Sequence, residues 1–126
     1  MLWTFKDNIN VAGTLTATSK SFDIEHPTKP NHRLRYGSLE GPENGVYVRG
    51  RLSGTEIELP EYWIAFVDPD SITVSLTPIG PGSAWVEKIE NNRITTGGSE
   101  NCFYHVFAER VDIEKLVVEY ENGDSI

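Results

Sequence analysis

Ser71-Ile72-Thr73-Val74-Ser75-Leu76-Thr77 is the stretch on which the fold turns. Ile72, Val74 and Leu76 alternate with hydroxyl-bearing residues, a period of two that sends one set to a core and the other to water or a partner. Immediately upstream, Asp68-Pro69-Asp70-Ser71 begins like a calcium loop but lacks the central glycine and terminal bidentate glutamate, so it reads as a turn that ends a helix and launches the strand. The helix is Pro60 to Val67. Pro60 suits the first helical position, Glu61 complements the N-terminal dipole, and Tyr62, Ala65 and Phe66 fall at i, i+3 and i+4. Tyr62, Trp63 and Phe66 either plug one end of a barrel or sandwich or form an exposed aromatic platform for a sugar; a helix this short needs burial of its large side chains, which favours the plug.

Strand patterns recur outward in both directions. Val46 and Val48 alternate with Tyr47, Arg49 and Arg51 across Gly45–Leu52, and Thr55–Leu59 follows a Ser53-Gly54 turn with Ile57 and Leu59 inward. Trp85–Ile89 and Arg93–Thr96 predict a hairpin around Asn91-Asn92. Phe103–Ala108 is apolar on both faces, as a central strand would be, and Leu116–Tyr120 is its expected partner after the turn Asp112-Ile113-Glu114-Lys115. With turn residues about every eight to twelve positions, the pattern predicts an all-β fold, an antiparallel sandwich or barrel-like domain, with one short helix near residues 60–67. The body spans 19–126, and Glu121–Ile126 reads as a frayed tail. Residues 1–18 differ in texture. Ile9, Val11 and Leu15 alternate with small polar residues, which predicts either one edge strand or an extended arm whose apolar side packs only on another chain.

Composition narrows the function. A chain of 126 residues supports one core and needs no disulfide or metal staple. The lone cysteine, Cys102, lies in an apolar run and reads as a buried inert thiol. The formal charge of −8 repels phosphate backbones and anionic lipid, so neither nucleic acid nor a membrane surface is an expected partner. No segment reaches the roughly twenty apolar residues of a membrane-spanning helix, and the N-terminus lacks a leader pattern.

Catalytic patterns are not found. The glycine-flanked Ser38, Ser53 and Ser99 fit no nucleophile motif, and His26, His32 and His105 lack metal-ligand spacing. Gly37, Gly41 and Gly45 are interleaved with Glu40 and Glu43, which repel phosphate. Glu40 and Glu43 have a spacing compatible with a glycosidase carboxylate pair, yet so have most acidic turns. The reading is a non-enzyme without metal or cofactor. Its alternatives are a carbohydrate-active enzyme using Glu40 and Glu43, or a free-standing glycan-binding module using Trp63, Trp85 or Tyr47.

The densest segment runs Lys20-Ser21-Phe22-Asp23-Ile24-Glu25-His26-Pro27-Thr28-Lys29, then Leu34-Arg35-Tyr36-Gly37-Ser38-Leu39-Glu40-Gly41-Pro42-Glu43 and Val46-Tyr47-Val48-Arg49-Gly50-Arg51-Leu52. It reads as a strand ending at a His-Pro turn, a basic second strand, and a tight acidic turn into a third. In that arrangement Glu40 and Glu43 pair with Arg35, Arg49 or Arg51 across neighbouring strands, fixing register. His26, Arg35, Glu40, Glu43, Tyr47 and Arg49 are the structural motif this predicts.

These residues also resemble a domain of virion structural proteins in T4-like phages of marine cyanobacteria and in related tail-fibre-like chains. The similarity continues through Leu59–Trp63, Val67–Val74 and Leu76–Gly80 to Glu90-Asn91-Asn92, while Trp3–Phe5 and Val11–Leu15 look like shaft sequence preceding such domains. The resemblance implies a virion component, a tail-fibre or appendage domain that assembles with itself and other virion proteins and touches a host-surface glycan. It favours a trimer, since fibre shafts are commonly three chains, over the dimer commonest among soluble oligomers.

Overall fold

A computed structural model describes residues 1–124; Ser125 and Ile126, the end of the expected frayed tail, lie outside the described residues. Among the described residues, eight strands and one short helix follow one another in the order β1 (Ser21–Glu25), β2 (Arg33–Gly37), β3 (Gly45–Ser53), β4 (Glu56–Glu58), α1 (Trp63–Phe66), a 3-10 turn (Pro69–Ser71), β5 (Thr73–Pro78), β6 (Ala84–Glu90), β7 (Arg93–Gly98) and β8 (Asn101–Glu109). They form three antiparallel sheets, β1-β2, β3-β8-β5 and β4-β7-β6. The chain is all-β, consistent with a sandwich.

Alternation builds the core. The inward positions of each sheet supply Leu34, Val46, Leu52, Ile57, Ile94, Cys102, Val106 and Ala108, and the α1 region adds Leu59, Trp63, Phe66 and Val67. Ile72, Val74 and Leu76, the alternating apolar side chains of Ser71–Thr77, pack against this cluster. Cys102 is fully buried, its thiol donating to Ser99 O at 3.3 Å.

Local chemistry sets the connections. Asp68 caps the 3-10 turn by accepting from Asp70 N (2.9 Å), and Ser71 Oγ donates to Asp68 O and accepts from Glu109 N, tying the start of β5 to the end of β8. Asn91 and Asn92 both hold positive φ, 53° and 59°, as a two-residue hairpin of this hand requires, and β6 pairs with β7 around them. The helix is shorter than the expected 60–67. Pro60 sits in the preceding turn, its carbonyl accepting from Trp63 N, and only Trp63–Phe66 is helical.

One strand expectation fails, and of the two alternatives for residues 1–18 the edge strand is not formed. Leu116–Tyr120 forms no strand beside β8, because β3 and β5 already occupy both of its edges. Residues 1–18 contribute no edge strand either; every side chain from Met1 to Ser21 is exposed. In addition, the Ser53-Gly54 turn does not join paired strands: β3 bonds to β8 and β4 to β7, so the turn carries the chain from one sheet to another.

Candidate functional site

Three regions carry the residues of interest, and the first is a largely buried aromatic cluster. The β1-β2 hairpin closes over α1 through Phe22 and Tyr36, which meet Phe66 edge-on at 6.5 and 6.4 Å between ring centroids. Tyr36 and Tyr62 share a hydroxyl hydrogen bond of 2.6 Å, and Trp63 Nε1 donates to Tyr36 Oη at 3.2 Å. Burial, and then the bond to Tyr36, raise the Tyr62 pKa. Trp63 has 0% of its surface exposed, so it is the plug and not a sugar platform. Arg110 completes the cluster: nearly buried, it lies 4.0 Å over the Phe22 ring and bonds Asp112 through two nitrogens at 2.9 and 2.7 Å.

The expected ion network of Arg35, Glu40, Glu43 and Arg49 is not formed. Glu40 bonds Lys20 at 3.2 Å on the surface, and Arg35, Glu43, Arg49 and Arg51 make no ion pair among the described residues. The basic side chain that locks β1 to β2 is Arg33, bonded to Asp23 and Glu25 at 2.9 Å each. The hydrogen bond it donates to Asp23 leads the interactions that raise its pKa. Register explains the substitution: Glu25 stands directly opposite Arg33, and Asp23, although opposite Arg35, reaches diagonally to Arg33. His26 does hold structure. Its Nδ1 accepts from Thr28 N (3.2 Å) and Lys29 N (2.9 Å), closing the His-Pro turn, and its ring meets Tyr62 edge-on at 5.3 Å. His32 lies nearby, with ring centroids 6.4 Å apart, whereas His105 is in the separate β3-β8-β5 sheet.

The second region is the outer face of β3-β8-β5. Phe103–Ala108 is central as expected, but its outer side is uncovered. In register, Tyr47, Phe107 and Thr73 form one row, Arg49, His105 and Ser75 the next, and Arg51, Phe103 and Thr77 the third. The Tyr47 and Phe107 rings lie 5.8 Å apart, and Arg51 stands over Phe103 at 5.3 Å. No carboxylate occupies these nine positions, in a chain of formal charge −8. Of the sugar-platform residues, Tyr47 is thus on this face, while Trp85 is half-exposed on β6, its Nε1 bonded to Glu87 at 2.7 Å, and the two lie in different sheets. Phe103 and Phe107 escaped the sequence reading because an apolar run does not reveal which of its faces goes uncovered.

The third region is the pair of terminal segments. Trp3 is 76% and Leu15 69% exposed, with Leu2, Phe5, Ile9 and Val11 similarly bare; Val111, Ile113, Leu116, Val117, Val118 and Tyr120 repeat the pattern after β8. Both segments thus leave their apolar side chains uncovered along their length. Among the described residues, no group of three or more His, Cys, Asp or Glu side chains converges in metal-holding geometry. No protein-family model, curated protein or solved structure matches the chain.

Proposed function

We propose that this chain is a structural component of a phage virion, a tail-fibre or appendage domain that assembles with copies of itself, and not an enzyme. The observation that carries the reading is the unpartnered apolar arm. Its side chains from Met1 to Ala17 are exposed although the sequence alternates as a strand should. Burying that side in an oligomer removes both the apolar surface and the bare strand. The resemblance of residues from Lys20 to Asn92 to virion structural domains supports the setting and favours a trimer, with other virion proteins as further partners. Glu40 and Glu43 stand on an exposed turn, outside any enclosed carboxylate site, which weighs against the glycosidase reading.

A second reading, contact with a host-surface glycan, draws support from the acid-free outer face of β3-β8-β5. Its rings and guanidinium groups suit a saccharide's apolar faces and acidic substituents.

Light scattering on the full chain and on a form lacking residues 1–18 tests the assembly. The full chain is expected to form a trimer at micromolar concentration and the shortened one to stay folded but monomeric. A full chain that remains monomeric at high micromolar concentration overturns the proposal, as does a shortened chain that assembles equally well.

A further inference from the structure

We infer that the arm of one copy, within residues 8–18, enters the next copy as an added strand between β2 and β3. The inference rests on the assembly reading and specifies its site.

Hydrogen-bond parity decides which backbone groups the two ladders leave outward. In antiparallel pairs, opposed residues alternate between those that exchange backbone bonds and those whose N–H and C=O point away from the partner. His26 N bonds His32 O, and Ser38 N bonds Lys20 O, at the two ends of the β1-β2 ladder, so the bonded positions of β2 are even-numbered. Arg35 and Gly37 therefore aim their backbone groups away from β1. On β3, Arg110 N bonds Asn44 O, and Gly54 N bonds Glu100 O, again making the even positions the bonded ones. Gly45 and Tyr47 aim theirs away from β8.

These outward groups face one groove. A cavity of about 510 Å³ lies between the two strands and is lined by Arg35, Gly37, Gly45 and Tyr47 together with the apolar Tyr36, Leu39, Val46 and Val48. Neither β2 nor β3 has a second neighbour among the described strands, and the outward backbone groups of the four residues bond nothing among the described residues. Two bare edges across a shared apolar groove form a template that one added strand satisfies on both sides.

The arm supplies a matching strand. From Asn8 to Thr18, Ile9, Val11, Gly13, Leu15 and Ala17 share one side, and polar residues with Ala12 the other. No charge occurs in the segment, so none is buried when the apolar side settles over Val46 and Val48. The arm of the same chain is poorly placed to serve. Lys20 O is fixed to Ser38 N beside β1, and the two residues between Thr18 and Ser21 fall short of the dozen or so that a crossover needs to bring the arm back antiparallel to β2. A second copy meets no such restriction.

Residue-resolved hydrogen exchange on the full-length protein tests this, with mass followed in parallel, for the native sequence and for Val11→Pro. Proline removes a donor and restricts the arm's backbone without touching the core. The amides of Arg35, Gly37, Gly45 and Tyr47 are expected to exchange on the order of 100-fold more slowly in the native assembly than in Val11→Pro, which stays folded and loses mass. An oligomer whose four amides exchange as fast as in the variant overturns the groove assignment and leaves the assembly reading standing. Monomers with slow amides overturn the exchange between copies, because the arm then fills its own groove. Monomers with fast amides overturn both.

Discussion

The segment at 72–78 and the segment at 8–18 carry the same alternation of aliphatic and hydroxyl or amide side chains, yet the first is a strand and the second is not. The difference lies outside the segments. β5 follows a capped turn and runs along β8, with Val74 opposite Val106 and Leu76 opposite Tyr104, whereas the arm precedes the body and pairs with none of the described strands of its own chain. Alternation thus states that a segment wants a sheet edge and an apolar surface, but not which chain provides them. The tail after β8 teaches the same lesson, since Leu116, Val118 and Tyr120 alternate without a ladder.

The sharpest contrast is between apolar residues in the two regions. Phe66 is fully buried among Phe22, Tyr36 and Tyr62, so Phe66→Ala is expected to cost about 3–5 kcal/mol in urea unfolding. Leu15→Ala is expected to change the stability of the isolated monomer by less than about 0.5 kcal/mol while weakening assembly. A large loss of monomer stability from Leu15→Ala would mean that the arm packs on its own body and would dissolve the contrast.

Charged pairs divide the same way. Asp112→Ala strands Arg110 over the Phe22 ring in a nearly buried site, an expected loss of about 3 kcal/mol in thermal or urea melts. Asp23→Asn removes a surface partner of Arg33 and should cost no more than about 1 kcal/mol. Equal losses from the two would show that Arg110 reaches water when its partner is removed.

The smallest effect expected is at Glu43, which carries no ion pair among the described residues. Glu43→Gln should leave urea stability within about 0.5 kcal/mol of the parent. A larger loss would restore the acidic turn to the register-fixing role its sequence suggested.

Legibility followed locality. The β6-β7 hairpin, the Asp68 turn and the aromatic plug were readable because Asn91-Asn92, Asp68-Pro69 and the spacing of Tyr62, Trp63 and Phe66 act over a few residues. The ion pairs were not, because Arg33 and Arg35 are indistinguishable until the turn at Pro27–His32 fixes which of them faces Glu25. Arg110 and Asp112 were missed for a related reason: two residues apart in a polar stretch, they gave no sign that Phe22 would lie beneath the guanidinium. The groove between β2 and β3 required the hydrogen-bond parity of two ladders, which is a property of register alone.

The central claim, that the terminal alternation becomes strand only in the presence of another chain, is tested most directly by far-ultraviolet circular dichroism across a dilution series, with mass followed by light scattering on the same samples. Strand content per residue should rise in step with the oligomer fraction, as the arm gains its edges. Assembly with unchanged strand content, or constant strand content in a chain that never assembles, would contradict the account.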